Sequence, residues 1–202
     1  MRDLDKQSNQ LTPPELILGS QSVQRRELLA TLGIPFSVVA ADVDEQAIRD
    51  TDLARRALLI AKLKAETIAP QFPQACIITA DTFLALGDEI LEKPKTLEEA
   101  ETMLSRQSNS TMSLYTGCCV WHKDTWEVST TVISSVSVRP LSDQAISRYV
   151  SENPVTTWAA GFSPAFASGM ALISDIQGSF TSVLGLPVEL IVPVLQKLGY
   201  SL

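Results

Sequence analysis

A short apolar strand that turns directly into a helix is the feature that most restricts the fold of this chain. Residues 16–18 are apolar, residues 19–22 (GSQS) have turn composition, and leucines recur at helical spacing over residues 23–32. Ser22 is positioned to cap the helix and Gly33 to follow its end. Strands and helices go on mixing throughout the chain after this unit, which predicts an α/β protein around a mixed sheet.

The start of this helix is a candidate site for an anion. The first turn of a helix leaves backbone N–H groups unpaired and carries partial positive charge. Ser20 and Ser22 precede two adjacent arginines, Arg25 and Arg26, whose guanidinium groups would lie beside that turn. Two interpretations stay open from this stretch alone: an arginine pair on an ordinary solvated helix, or a cradle for phosphate groups.

Length and composition predict a protein with one sizeable core. The chain has 202 residues, of which 45% are hydrophobic and 19% are charged. These proportions suit one globular domain or two closely packed lobes. Residues 1–14 are predicted to be a polar N-terminal extension, and residues 15–202 to form the single domain.

Charge and cysteine usage argue against several classes of function. A net charge of −7 argues against general binding to nucleic acid or to anionic membranes. Residues 1–14 do not resemble a secretory leader, and no stretch has the roughly 18 to 20 apolar residues of a membrane span. Cys76, Cys118 and Cys119 lack metal-ligand spacing, which predicts reduced, buried thiols and a cytoplasmic protein. His122 is the single histidine, so neither a histidine triad nor a zinc site is expected.

Strands and helices alternate through the rest of the chain. The C-terminal helix should begin with Pro187 at its first position, and Pro193 should bend or break it. Helix-capping residues and helix-breaking Gly and Pro residues predict the remaining boundaries. Strands are predicted over residues 36–40, 75–86, 89–91, 113–122, 125–138 and 171–176. Helices are predicted over residues 52–69, 97–107, 142–151 and 187–199.

Two charged residues interrupt apolar patterns. Lys64 falls on the apolar face of the helix over residues 52–69, and it must either extend along the helix to solvent or meet an anion. Asp81 interrupts the apolar run that begins at Cys76, within a predicted strand, where carboxylates are unfavourable. A structural partner such as Lys64, an exposed sheet edge, or a role in metal binding or general-base catalysis would each explain Asp81.

Glu45 and Lys93 indicate no function on their own, but they do so in combination with the other charged residues. Glu45 ends an acidic turn after a strand, and Lys93 lies in a loop before a proline. Combined with the arginines, Lys64 and Asp81, they supply what Mg²⁺-assisted phosphoryl chemistry requires. The tryptophans at positions 121, 126 and 158 are interpreted as packing residues rather than as platforms for a base.

Seven landmarks in order make the chain resemble the Maf family of nucleoside triphosphate pyrophosphatases. The resemblance covers about residues 15–200, nearly the whole chain. The landmarks read LILGSQSVQRRELLATLGIPF, ADVDE, IAKLKA, ITADT, GDEILEKP, LYTG and GSFTSVLGLPVE. The resemblance implies an inosine-triphosphatase-like (Maf/Ham1-type) α/β fold, with an elongated mixed sheet, surrounding helices and two lobes around a central cleft. It also suggests a homodimer.

The resemblance further implies hydrolysis of a nucleoside triphosphate to the monophosphate and pyrophosphate with Mg²⁺ or Mn²⁺, as in nucleotide house-cleaning. Asp81 would activate water, and Glu45 would join Asp81 around the metal. The implied phosphate ligands are Ser20, Ser22, Arg25, Arg26, Lys64 and Lys93.

The chain departs from the family pattern at positions associated with base specificity. Gln24 replaces the arginine of the dTTP/UTP type and the tryptophan of the 7-methyl-GTP type, whereas Thr82 matches the dTTP/UTP type. Phe166 stands where the family has glutamine or glutamate, and its ring can stack on a base but cannot hydrogen-bond to one. The leading hypothesis is therefore a pyrophosphatase of undetermined base preference. The alternative is a catalytically impaired nucleotide-binding regulatory protein.

Overall fold

A mixed sheet of seven strands forms the frame of the protein in a computed structural model that describes residues 12–202. Residues 1–11 of the predicted N-terminal extension lie outside the described part of the chain. The strands are β1 (Leu16–Leu18), β2 (Ser37–Val38), β3 (Cys76–Leu86), β4 (Glu89–Ile90), β5 (Thr111–His122), β6 (Thr125–Val138) and β7 (Ile173–Gln177).

Seven α-helices surround the sheet within residues 12–202. They are α1 (Val23–Ala30), α2 (Leu53–Ile68), α3 (Leu97–Gln107), α4 (Asp143–Glu152), α5 (Ala167–Met170), α6 (Phe180–Val183) and α7 (Val188–Lys197). In this part of the chain, no helix combines the length and the hydropathy that crossing a bilayer requires.

The sheet has the order β2-β1-β3-β5-β6-β7, and β4 pairs with β3. β1 runs parallel to β2 and β3, and the remaining pairs are antiparallel. The predicted mixed α/β sheet is therefore confirmed. β1 ends opposite Ile78, whereas β3 continues to Leu86. A crevice consequently opens beside β3 beyond the carboxyl end of β1, where ligand sites of α/β proteins commonly lie.

Hydrophobic side chains on both faces of the sheet hold the helices in place. Ile78 and Ala80 of β3 pack in a core with α1 and α7, whereas Ile77 packs on the opposite face with α2. A third core, which includes Leu84 and Leu114, lies toward the other end of the strands with α3 and α4. The alternation along β3 directs Asp81 toward α2 and Thr82 toward α1.

Close packing of α2 on β5 depends on Gly117. A Cβ atom at Gly117 would lie 2.3 Å from the backbone oxygen of Ala57, which no side chain could tolerate without movement of α2. Gly117 is also the cross-strand partner of Asp81. The absence of a side chain at this position therefore sets the distance between α2 and the strand that carries Asp81.

Most predicted helix starts are confirmed. Ser22, Thr96 and Ser142 each accept a hydrogen bond from the backbone N–H three residues later, and Asp52 accepts from the N–H groups of Ala54 and Arg55. These bonds satisfy N–H groups that the first helical turn leaves unpaired. The caps therefore account for where α1, α2, α3 and α4 begin.

Several predicted boundaries are wrong. β5 starts at Thr111 rather than at residue 113, and β7 spans Ile173–Gln177 rather than residues 171–176. α1 ends at Ala30 rather than Leu32, and the second strand has two residues rather than five. Pro187 caps α7 with a non-helical backbone instead of occupying its first position. The helix then runs through Pro193 without a break. Pro193 is exposed, and the buried side chains of Ile191 and Leu195 anchor the helix on both sides of it.

Candidate active site

A cleft of about 1050 Å³ lies beside β3, beyond the end of β1. The turn between β1 and α1 forms one wall, β3 contributes Asp81 and Thr82, and residues 154–166 form another wall. The structure brings together ten of the eleven residues predicted for the site: Ser20, Ser22, Gln24, Arg25, Glu45, Lys64, Asp81, Thr82, Lys93 and Phe166.

Arg26 is the predicted residue that the structure does not bring into this cleft. Its side chain is exposed on α1 and is absent from the cleft lining, one position away from Arg25, which lines it. Adjacent residues on a helix point in directions about 100° apart, so two neighbouring arginines rarely face one cleft together. A phosphate-binding role for Arg26 stays a prediction.

Lys64 holds the two predicted metal ligands together. Its Nζ atom lies 2.8 Å from Oε1 of Glu45 and 2.9 Å from Oδ1 of Asp81. Lys64 and Asp81 are 8% and 7% exposed, whereas the Glu45 side chain is half exposed. Lys64 therefore does not extend to solvent, because it meets carboxylates inside the protein.

The position of Asp81 decides between the interpretations left open by the sequence. Its burial contradicts an exposed sheet edge, and its bond to Lys64 supplies the structural partner. A purely structural pair would close on itself away from any cavity. Glu45 joins this pair, however, and all three side chains line the cleft. The arrangement therefore leaves the carboxylates accessible for chemistry.

Arg25 is fixed at the cleft wall entirely by neutral oxygens. Its Nε atom donates to the backbone oxygen of Gly185 at 2.8 Å, and its terminal nitrogens donate to the hydroxyls of Thr82 at 3.1 Å and Ser20 at 3.3 Å. Burial lowers the pKa of Arg25, and the nearby charges of Asp81 and Glu45 partly oppose that shift. A cation held in this way favours an incoming anion.

A series of buried hydroxyls behind Arg25 was missed by the sequence reasoning. Thr82 Oγ1 shares a hydrogen bond with Thr116 Oγ1, which donates to the backbone oxygen of Ser182. The Ser182 hydroxyl in turn bonds with that of Ser134. The only signal in the sequence was indirect, because Thr116 and Ser182 lie inside two of the family landmarks.

The two serines that precede α1 make different hydrogen bonds. Ser22 Oγ accepts from the backbone N–H of Arg25 as a helix cap and donates to the side-chain oxygen of Gln24. Ser20 Oγ accepts from Arg25 and from the backbone N–H of Ser22. Both serines therefore order the turn that forms the cleft wall.

Residues 154–166 give the cleft an aromatic wall. The rings of Trp158 and Phe166 are stacked, with centroids 5.0 Å apart and planes inclined by 22°. Trp158 is buried in the core around α3 and α4, as its interpretation as a packing residue requires, but it also lines the cleft. Phe166 lies over it and is 38% exposed.

Glu45 and Asp81 fit a magnesium-type site that is completed by a ligand. Both carboxylates contact the same ammonium nitrogen, so they already lie around one cationic centre. Within residues 12–202, no group of three or more histidine, cysteine, aspartate or glutamate side chains is arranged to hold a metal. Mg²⁺ is commonly bound by one or two carboxylates together with water and substrate phosphates. The donor set therefore suits a metal that arrives with its substrate.

Comparison with known proteins gives one consistent result. The family described as Maf-like protein matches residues 15–198. The chain is 37% identical to a dTTP/UTP pyrophosphatase of Deinococcus radiodurans, over 94% of this chain and 96% of that protein. It is 35% identical to a 7-methyl-GTP pyrophosphatase of Nitrosococcus oceani, over 93% and 95% respectively. It is also 35% identical to a dTTP/UTP pyrophosphatase of Pyrococcus furiosus, over 93% and 97%. The match over almost the whole domain, together with the cleft that gathers the landmark residues, shows that the chain belongs to the Maf family.

Proposed function

We propose that this protein hydrolyses a nucleoside triphosphate to the nucleoside monophosphate and pyrophosphate, as a house-cleaning enzyme. The observation that carries the proposal is that Arg25, Lys64 and Lys93 line the same cleft as Glu45 and Asp81. Cations with paired carboxylates are the combination that phosphoryl transfer requires, since the charge of the phosphates must be balanced while water is activated.

The cations act on the phosphate groups. Arg25 is held in a fixed orientation at the start of α1, so its charge is positioned before the substrate arrives. Lys93 is exposed at the cleft and is free to follow the outer phosphates. Ser20 and Ser22 order the turn, whose backbone N–H groups and helix N-terminus add further donors.

Glu45 and Asp81 would hold a divalent cation such as Mg²⁺ or Mn²⁺. When bound, the metal would neutralise phosphate charge and orient the substrate. Lys64 contacts both carboxylates and keeps them together. Its ammonium group would then also offset negative charge as the triphosphate enters.

Asp81 acts as the general base. Its Oδ1 atom is bonded to Lys64, which leaves Oδ2 to accept a proton from the attacking water. The water oxygen bonds to the α-phosphorus, the bond from that phosphorus to the bridging α–β oxygen breaks, and pyrophosphate leaves with the bonding electrons. Lys64 holds the Asp81 carboxylate in place through their direct contact.

The resemblance suggests further properties that we include in the proposal. They are an inosine-triphosphatase-like kinship of the fold, two lobes around the cleft, a homodimeric assembly and a cytoplasmic location. The mixed sheet with a crevice beside β3 supports the first of these. The relatives are named for dTTP/UTP and for 7-methyl-GTP, and the chain combines Thr82 with Gln24 and Phe166 at the positions linked to that choice.

The test is pyrophosphate release from a panel of ordinary and modified nucleoside triphosphates with Mg²⁺, with and without EDTA. We expect turnover by the wild type and a loss of at least about a hundredfold in kcat for Asp81→Asn, which keeps the shape of the side chain but cannot take the proton. Asp88→Asn is the matched control, because Asp88 is exposed in the β3–β4 turn outside the cleft.

Absence of turnover on every substrate, or equal activity of Asp81→Asn, contradicts the proposal. Binding of triphosphates without pyrophosphate release supports instead the nucleotide-binding regulatory protein. The altered position 166 is the feature that favours this second candidate.

A further inference from the structure

One wall of the cleft differs chemically from the rest. Residues 154–166 contain no charged residue and contribute the aromatic side chains of Trp158, Phe162 and Phe166 to the lining. A nucleoside triphosphate has a strongly anionic end and a flat aromatic end. Because the cations line other parts of the cleft, the aromatic wall is the surface left for the base.

The geometry of the two stacked rings shows which surface is available. A centroid distance of 5.0 Å is that of two rings already in contact, so a third ring cannot enter between Trp158 and Phe166. Trp158 is 8% exposed and Phe166 is 38% exposed. A base can therefore stack only on the outer face of Phe166, while Trp158 supports that ring from behind.

The polar side chains of the aromatic wall do not distinguish one base edge from another. Those that line the cleft are Thr157 and Ser163, and a hydroxyl can either donate or accept a hydrogen bond. The phenyl ring of Phe166 has neither a donor nor an acceptor. Attraction on this wall therefore depends on the area of the aromatic face, which is larger for a bicyclic purine than for a pyrimidine.

We propose that Phe166, supported by Trp158, is the platform on which the base of the substrate stacks, and that it makes purine nucleoside triphosphates the preferred substrate class. The platform accepts purines with altered edges along with ordinary ones, because it contacts the face of the base. This inference rests on the proposed function, since it assigns the base of the same substrate.

Calorimetric titration with non-hydrolysable ligands tests the platform directly. The probes are the α,β-methylene triphosphates of guanosine, adenosine, cytidine and uridine, and a ribose 5-(α,β-methylene)triphosphate that lacks a base. Wild type should bind the purine compounds most tightly and the base-free compound most weakly. Phe166→Leu should weaken purine binding by about tenfold or more, the equivalent of one lost base–aromatic stack. The same substitution should leave the affinity for the base-free compound unchanged.

Two further variants separate stacking from general damage. Phe166→Trp keeps an aromatic face and should retain the purine preference. Phe180→Leu removes the ring of an exposed phenylalanine outside the cleft and should bind every probe as wild type does. If wild type binds purine and pyrimidine probes with equal affinity, the proposal that Phe166 is a purine-selective platform is wrong. A loss on Phe166→Leu that is the same with and without a base also contradicts it.

Turnover measurements test base stacking on Phe166 separately from the proposed pyrophosphatase activity. With purine triphosphates, Phe166→Leu should raise KM while kcat stays within about twofold, because the ring contacts the base and not the reacting phosphorus. Wild type that binds purine probes but releases no pyrophosphate overturns the proposed function and supports the platform. Wild type that binds none of the probes overturns both.

Discussion

The ammonium nitrogen of Lys64 lies 2.9 Å from Oδ1 of Asp81 across the packed interface of α2 and β3. Both side chains are only 10% exposed. Burial of two charges carries a desolvation cost that their attraction only partly offsets, so such a pair is weak evidence for stability. Its position at the cleft supports the chemical role proposed for both residues.

Removal of one member of this pair should destabilise the protein strongly. Lys64→Met keeps the length of the side chain but leaves Asp81 buried without its cation, at a cost of about 3 kcal/mol in the free energy of unfolding. Urea unfolding measures this cost. Lys62→Met on the same helix is the matched control and should cost less than about 1 kcal/mol, since Lys62 loses only its contact with the ring of Trp126.

Removal of both members separates stability from activity. The double variant Lys64→Met/Asp81→Leu should regain most of the lost stability, because neither charge remains buried without a partner. It should stay inactive. A double variant that unfolds as easily as Lys64→Met alone would contradict this account of the pair.

Substitution of Arg25 should lower kcat/KM more than substitution of Arg26. Arg25→Lys keeps the charge but cannot donate to Gly185, Thr82 and Ser20 together, so we expect kcat/KM to fall by at least about tenfold. Arg26→Lys should change kcat/KM less, because Arg26 is exposed outside the cleft. Steady-state kinetics of both variants decide the point. A larger loss for Arg26→Lys would place the phosphate contact at Arg26.

The hydroxyl of Thr116 should act through Arg25. Thr116→Val removes a buried hydroxyl that joins Thr82 to the backbone oxygen of Ser182, which should cost about 1 to 2 kcal/mol of stability. Because Thr82 holds Arg25, KM for the triphosphate should rise as well. Thr111→Val on the same strand removes an exposed hydroxyl pair with Ser137 and should change neither quantity measurably. An unchanged KM in Thr116→Val would contradict the link to Arg25.

Gly117 should not tolerate even alanine. A Cβ atom 2.3 Å from the backbone of Ala57 would force α2 away from β5, which should cost about 2 kcal/mol or more. Thermal unfolding measures the loss. Gly33→Ala is the control variant, because a Cβ atom at Gly33 would meet open space. Its loss of stability should come only from the strain of alanine at a positive φ of 71°. That penalty is about 1 kcal/mol. Equal losses in the two variants would mean that α2 moves aside easily.

Buried thiols should make the protein less stable in alkali. Burial raises the pKa of Cys76 and Cys119 from about 9 to about 12, and raises that of Cys118 too. Between these values the unfolded thiols lose protons while the folded thiols keep them. Stability is therefore retained below pH 9 and lost as pH rises toward 12, by up to about 1.4 kcal/mol per pH unit for each thiol.

Urea unfolding between pH 8 and pH 9.5 tests this prediction below most of the range in which the tyrosines contribute. Burial also raises the pKa of Tyr149 and Tyr200, whose ordinary value is near 10. Cys76→Ala should lower stability at every pH but reduce its slope above pH 9. A slope identical to that of wild type would show that Cys76 does not carry the effect.

Local sequence patterns predicted the fold wherever short-range chemistry decides the structure. The caps at Ser22, Asp52, Thr96 and Ser142 act within three residues, so the starts of their helices could be predicted. The periodicity of α2 likewise placed Lys64 on the buried face. Helix ends were less predictable, because tertiary packing decides where α1 stops and why α7 continues through Pro193.

The site was predictable as a set of residues but not as a geometry. The isolated charges at positions 64 and 81 indicated an unusual site, and the landmarks added the remaining members. Which of Arg25 and Arg26 faces the cleft depends on how α1 packs against Gly185, far along the chain. The hydroxyls behind Arg25 were not predictable either, since a serine or threonine within a strand has no distinctive pattern.

The bond from Arg25 to Gly185 joins residues 160 positions apart. A chain emerging from the ribosome presents its α1 segment long before residue 185. Domains fold as units once their partners are available, so the guanidinium group would gain its final orientation only after residue 185 has left the ribosome. Chains that stop before residue 185 should therefore lack the ordered guanidinium group of the cleft, so an early stop in synthesis would leave α1 without a functional anion site.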